Sequence, residues 1–190
     1  MTTSKAVVLF SGGLDSTTCL AIAQHQHTHV HTLSFDYGQK HRFEVEHAKN
    51  IAQKQQVEAH HVITIPTHVF QKSALTDPDI AVADHQESGS IPDTYVPARN
   101  VLFLSYGLAY AKSIAARIIY IGVSAIDYSG YPDCRPAFID AFEVMANLAT
   151  DTGSQDDINI CAPLLHLSKA ETIKMGLEHG VCYAETMSCY

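Results

Sequence analysis

The run Ala6-Val7-Val8-Leu9-Phe10 leads straight into Ser11-Gly12-Gly13-Leu14-Asp15-Ser16, and that into Thr17-Thr18-Cys19-Leu20-Ala21-Ile22-Ala23. This order reads as a buried strand, a tight polar turn and a helix, the opening unit of a parallel α/β sheet. The two glycines lack a Cβ, so the turn can take left-handed dihedrals and an anion can approach the backbone closely. A helix beginning near Asp15 presents unpaired N–H donors and the positive end of its macrodipole, which together suit a phosphate. Ser11, Ser16 and Thr17 add hydroxyl groups. The plainer alternative is a glycine turn that only joins a strand to a helix.

The same alternation continues along the chain. Strands are expected over residues 6–10, 30–35, 60–65, 117–122 and 159–162, and helices over 15–26, 42–56, 100–112 and 136–150. A last helix opens at Ser168-Lys169-Ala170-Glu171, whose Ser-x-x-Glu spacing is that of a capping box. The pattern predicts a Rossmann-like, doubly wound parallel sheet of about five strands in three layers, built as one domain over residues 1–190. Residues 66–97 break the alternation and read as a long insertion, a lid or a mobile loop. The helix over 100–112 is apolar on nearly all sides, which suggests burial on two faces or a homodimer contact.

Composition narrows the functional classes. No apolar run approaches the roughly 18 to 20 residues of a membrane span, and the N-terminus lacks a signal-peptide pattern, so the cytoplasm is the expected location. The formal charge of −8 and the lack of any Lys/Arg cluster argue against a nucleic acid as main partner. Five cysteines at irregular spacing do not form a secreted disulfide framework. His25, His27, His29 and His31 alternate, but across a helix end and a strand start, which is a poor setting for a metal site.

Ligands of open parallel sheets sit beyond the carboxyl ends of the strands. There the sequence places Asp36-Tyr37-Gly38-Gln39-Lys40-His41, Tyr95-Val96-Pro97-Ala98-Arg99-Asn100, a segment from Gly122 to Pro136, and Pro163 to Lys169. With only twelve Lys and Arg in the chain, the presence of Lys40, Arg99, Arg135 and Lys169 in these segments points to a polyanionic ligand. The loop lacks the Gly-Lys-Ser/Thr ending of a Walker motif. It resembles instead the Ser-Gly-Gly-x-Asp-Ser signature of the PP-loop ATP pyrophosphatases, which grip the pyrophosphate end of ATP while the α-phosphate is attacked.

The wider set of Ser11 to Ser16, Phe35 to His41, Tyr95 to Asn100, Ala125 to Pro136, Leu164 to Lys169 and Thr186 to Tyr190 is similar to the 7-cyano-7-deazaguanine synthase family. The Asp-Tyr-Ser-Gly-Tyr-Pro-Asp-Cys-Arg-Pro run from Asp127 to Pro136 is its most specific piece. The resemblance implies an ATP-dependent ligase that joins ammonia to 7-carboxy-7-deazaguanine through adenylated intermediates and releases AMP and pyrophosphate. It implies ATP contacts at Phe10, Ser11, Gly12, Gly13, Leu14, Asp15, Ser16 and Thr17, with Mg²⁺ on the phosphates. Asp15, Lys40 and Lys169 are then the expected catalytic charges, and Arg99, Asp127, Tyr128, Asp133 and Arg135 the expected substrate contacts. Carboxylates at Asp127 and Asp133 suit the N1–H and exocyclic amine of a guanine-type edge.

The family also implies a zinc held by four cysteines. Cys189 in Ser188-Cys189-Tyr190 matches one of them, and the three that follow in the family are absent from these 190 residues, so either the sequence is incomplete or the zinc site is lost. Two other classes compete: a PP-loop enzyme that adenylates a base on tRNA, and a nucleotide-binding module without turnover.

Overall fold

The computed structural model describes residues 4–39, 43–70, 94–126, 131–151 and 156–187. Five strands form one sheet: β1 (Lys5–Leu9), β2 (His29–Asp36), β3 (Ala59–Thr64), β4 (Ile118–Tyr120) and β5 (Asn159–Cys161). Their order is β3-β2-β1-β4-β5 and every pairing is parallel. The order reverses between β1 and β4, so a crevice opens there beyond the carboxyl ends of these two strands.

Alternation along β1 explains the three layers, since successive side chains of a strand point to opposite faces. Ala6, Val8 and Phe10 pack with Leu20, Ile22 and Ile51 under α1 (Leu14–Gln26) and α2 (Phe43–Lys54). Val7 and Leu9 pack on the other face with Leu104, Leu108 and Phe142, under α3 (Arg99–Ser113) and α4 (Pro136–Thr150). The final helix, α5 (Lys169–Glu178), joins the first layer through Leu167 and Met175. Full burial of side chains such as Phe10, Leu20 and Leu33 contributes about 1.5–3 kcal/mol each.

Each expected strand and helix forms, with ends shifted by a few residues at most. Helix α3 departs from the expectation of burial on two faces. Leu104, Leu108 and Ala111 are buried, whereas Val101 and Tyr106 face solvent. Of the insertion, Thr67–Val69 form a short 3-10 turn and residues 71–93 lie outside the described residues.

The alternating histidines diverge. His25 meets the ring of His179, His27 bonds the Tyr120 hydroxyl, His29 pairs with Glu58, and His31 bonds the Tyr110 hydroxyl. No helix among the described residues is long and apolar enough to cross a membrane.

Candidate active site

The loop between β1 and α1 is laced by its own two serines. The Ser16 hydroxyl donates to the Gly13 carbonyl at 3.1 Å and accepts from the Ser11 N–H at 3.2 Å, and the two hydroxyls are 3.1 Å apart. Helix α1 begins after Gly13, which offers no side-chain cap. The N–H groups of Leu14, Asp15 and Ser16 have no partner among the described residues. Buried N–H donors are rarely left unpaired, so a loop that spends its hydroxyls on itself and leaves these amides open is arranged for an acceptor from outside.

Two glycines let this loop sit where it does. Gly12 has φ +76, and a Cβ there would lie 3.0 Å from the Ala48 Cα on α2. Gly122, after β4, would bring a Cβ within 3.0–3.1 Å of the Asp15 carbonyl carbon and the Ser16 nitrogen. The start of α1 is thus clamped between α2 and the end of β4.

A cleft opens at the switch point. Its lining combines Ser11, Gly13, Leu14, Asp15, Ser16 and Lys169 with the aromatic residues Phe10, Phe35, Tyr37, Phe103 and Tyr131. Phe35 and Phe103 stack with ring centroids 3.9 Å apart. A cleft lined by both charged and aromatic groups suits a ligand that is anionic in one part and planar in another.

The structure brings several expected residues together. Lys169, the first residue of α5, donates from Nζ to both Asp15 carboxylate oxygens at 3.1 and 3.2 Å. The capping box forms as expected: the Glu171 N–H donates to the Ser168 hydroxyl and the Ser168 N–H donates to the Glu171 carboxylate at 2.8 Å. Arg99 reaches the cleft wall beside the Tyr37 hydroxyl, at 3.5 Å. Thr17 follows the loop: its N–H donates to the Gly13 carbonyl at 3.0 Å, and its buried hydroxyl has no partner among the described residues. Gly12 supports the loop from beneath, its carbonyl accepting from the Met187 N–H at 3.3 Å.

Other expected residues stand elsewhere. Arg135 is exposed at the start of α4 and is not part of the cleft wall. Asp133 is 5% exposed and is also absent from the wall. Its Oδ2 accepts from the Asn100 N–H at 3.1 Å, and burial pushes its carboxyl above the ordinary range. Lys40, Asp127, Tyr128 and Cys189 lie outside the described residues. Burial also pushes the Cys134 thiol up to about 12, so at neutral pH it is a protonated, inert part of the cleft wall.

Sequence reasoning did not single out Phe103 or Ala48, which also line the cleft. Apolar residues on helices carry no local signal of a site. Gln39, inside a segment that sequence did mark, ties its own turn by accepting from the Tyr37 N–H at 3.0 Å and donating to the Phe35 carbonyl at 3.1 Å.

The family model for queuosine biosynthesis protein QueC matches residues 5–190. The chain belongs to this family. Among curated proteins it is 56% identical to the 7-cyano-7-deazaguanine synthase of Nitrosococcus oceani, over 100% of this chain and 85% of that protein. The protein of the same name from Coxiella burnetii is 55% identical, over 98% of this chain and 83% of that one.

Solved structures share the fold at much lower identity. One, titled a predicted subunit of tRNA methyltransferase from Methanocaldococcus jannaschii, is 20% identical with a TM-score of 0.55, over 92% of this chain and 75% of that chain. Another, a 4-thiouridine synthetase bound to RNA and ATP, is 16% identical with a TM-score of 0.55, over 96% of this chain and 42% of that chain. The QueC-family chain thus shares its doubly wound parallel α/β fold with these structures.

Proposed function

We propose that this chain is an ATP-dependent carbon–nitrogen ligase that converts 7-carboxy-7-deazaguanine and ammonia into 7-cyano-7-deazaguanine. Membership of the QueC family carries the reading, and the open start of α1 in a cleft with aromatic lining supports it. In the first step a carboxylate oxygen attacks the α-phosphorus of ATP and pyrophosphate leaves. Ammonia then attacks the acyl carbon, AMP leaves with the C–O electrons, and an amide remains. The amide oxygen attacks a second ATP in the same way, and loss of AMP and the amide protons gives the nitrile.

None of these steps needs an enzyme nucleophile. The chain supplies position and charge. The N–H groups of Leu14, Asp15 and Ser16 and the Ser11 hydroxyl are assigned to the pyrophosphate. Lys169 is assigned to charge developing on the phosphates, and Arg99 to the purine carboxylate, with Lys40, Asp127 and Tyr128 as further contacts. Phe35, Tyr37 and Phe103 offer flat surfaces for the rings.

Mg²⁺ is assigned to the phosphates, with Glu44 and Asp15 of the cleft lining as the hard oxygen donors; Asp15 would have to share its carboxylate, both of whose oxygens accept from Lys169. Bound there, it would neutralise charge on the leaving pyrophosphate. Zinc enters no step. Among the described residues no group of three His, Cys, Asp or Glu converges on a point a metal could occupy.

Free ammonia is the assigned nitrogen source and the cytoplasm the assigned location. A homodimer is assigned to the layer of α3 and α4, where Tyr106 is 41% exposed on α3 and Val144 and Leu148 are 61% and 77% exposed on α4; sedimentation as a monomer at micromolar concentration would remove it.

The deciding experiment measures pyrophosphate release from ATP with 7-carboxy-7-deazaguanine plus ammonium, with tRNA, and with neither. Release in the first arm and appearance of the nitrile are expected. Release with tRNA alone would move the chain to the base-modifying class, and tight ATP binding without release would make it a non-catalytic module.

A further inference from the structure

Helix α3 carries Arg99 as its first residue, yet has no cap of its own. Its N-cap position is Ala98, whose side chain accepts nothing and whose backbone is left-handed at φ 58, ψ 17. An L-residue there is strained and persists only where neighbouring structure holds it. Local bonds brace the turn, the Ala98 N–H donating to the Tyr95 hydroxyl at 3.4 Å and the Arg99 N–H to the Val96 carbonyl at 3.2 Å, and a further clasp comes from a distant segment. Asp133 Oδ2 accepts from the Asn100 N–H at 3.1 Å, and the Asn100 side chain returns the bond by donating from Nδ2 to the Asp133 carbonyl at 2.9 Å. The same Nδ2 lies 3.5 Å from the Cys134 sulfur. Both residues are about 5% exposed. Asn100 and Cys134 face the cleft and Asp133 does not.

We infer that Asp133 is a positioning residue: its reciprocal clasp with Asn100 caps α3 from the neighbouring segment and so aims Arg99 at the purine substrate, without the carboxylate touching that substrate. The inference rests on the functional reading above and refines it. A carboxylate that reads a guanine-type edge must stand on the cleft wall and accept two donors. One that caps a helix needs a single acceptor oxygen, which an amide also provides. The two roles therefore respond oppositely to a change from carboxylate to carboxamide.

Three variants test it: Asp133→Ala, Asp133→Asn and Arg99→Ala, alone and with Asp133→Ala. Asp133→Ala is expected to raise KM for 7-carboxy-7-deazaguanine about tenfold, since a misaimed contact weakens binding of that substrate, while Asp133→Asn keeps it within about twofold. KM for ATP stays near wild type in both. In the Arg99→Ala background, Asp133→Ala adds less than about twofold, because the group it aims is gone.

The inference is overturned if Asp133→Asn is as damaged as Asp133→Ala, if the two losses multiply, or if Arg99→Ala leaves KM unchanged. Should Asp133→Ala fail to fold, the Asp133→Asn measurement decides alone. Hydrogen exchange at the Asn100 amide separates this inference from the functional one. Protection kept in Asp133→Asn and lost in Asp133→Ala reports the clasp with no substrate present, whereas a wild-type chain silent toward the deazaguanine removes the activity itself. An Asn100 amide that exchanges equally in all forms removes the clasp.

Discussion

Helices α1 and α5 begin side by side at the carboxyl edge of the sheet, joined by the Lys169–Asp15 ion pair, and their first turns are built in opposite ways. Helix α5 is closed by Ser168 and Glu171, each satisfying a donor of the other. Helix α1 follows Gly13 and keeps three amides open, while its nearby hydroxyls bond one another. A capped helix start holds its first residue still, and an uncapped one at a switch point offers donors to a ligand. Under the proposed function the contrast separates scaffold from site: α5 would deliver Lys169, and α1 would receive the anion beside it.

The contrast breaks first at Lys169. Lys169→Ala is expected to lower the rate of deazaguanine-dependent pyrophosphate release about 100-fold or more. Its melting temperature should hardly move, because a pair this exposed contributes about 0–1 kcal/mol. A rate within about threefold of wild type would make Lys169 a surface charge.

Closing α1 should cost binding and not stability. Gly13 has φ −78, a conformation open to any residue, and a Cβ there would lie 3.3 Å from the Met187 carbonyl oxygen, a contact that a small shift of residue 187 relieves; Gly13→Asp adds a capping carboxylate where the phosphate is assigned. Titration calorimetry should show ATP affinity reduced at least about tenfold, with unfolding free energy within about 0.5 kcal/mol of wild type. Unchanged affinity would mean that the open amides are not the anion site.

Opening α5 should do the reverse. Ser168→Ala is expected to lose about 1 kcal/mol of stability, read as a fall of roughly 2–4 °C in melting temperature for a chain of this size. ATP affinity should not change. The smallest effect is the pH dependence of that loss. Bonds from the Ser168 hydroxyl and N–H hold the Glu171 carboxyl below its ordinary 4.5. Its folded pKa is depressed, so the stabilisation is complete above pH 4.5 and fades as pH falls through the lowered value. The gap between wild type and Ser168→Ala should therefore narrow in acid; an equal gap at neutral and acid pH would remove the carboxylate from the cap.

These contrasts mark what the sequence made legible. Ser168 and Glu171 were readable because both halves of a capping box lie within one turn of chain. The loop was readable because glycines and hydroxyls follow an apolar strand without interruption. Lys169 could be picked out because cations are scarce in an acidic chain.

Asp133 was legible as a carboxylate beside the site, but its partner Asn100 is remote in sequence, and capping across such a gap leaves no spacing to read. Phe35 and Phe103 come from a strand and a helix far apart in the chain, so their stack exists only once the layers assemble. Arg135, two residues beyond Asp133, sits at a helix start that turns it toward solvent.

The bond from the Met187 amide to the Gly12 carbonyl carries a consequence for the order in which the chain matures. The phosphate loop leaves the ribosome early, yet the residues that brace it come much later. Glu185 bonds Lys54 at 3.0 Å, and the Tyr183 hydroxyl lies 2.7 Å from that of Thr18. Strand β1, too, acquires its neighbour β4 only after β2 and β3 have been made. Contacts so remote in sequence close slowly. Nucleotide affinity should therefore be a late acquisition, and a stalled nascent chain that exposes the loop without residues 183–187 should be blind to ATP.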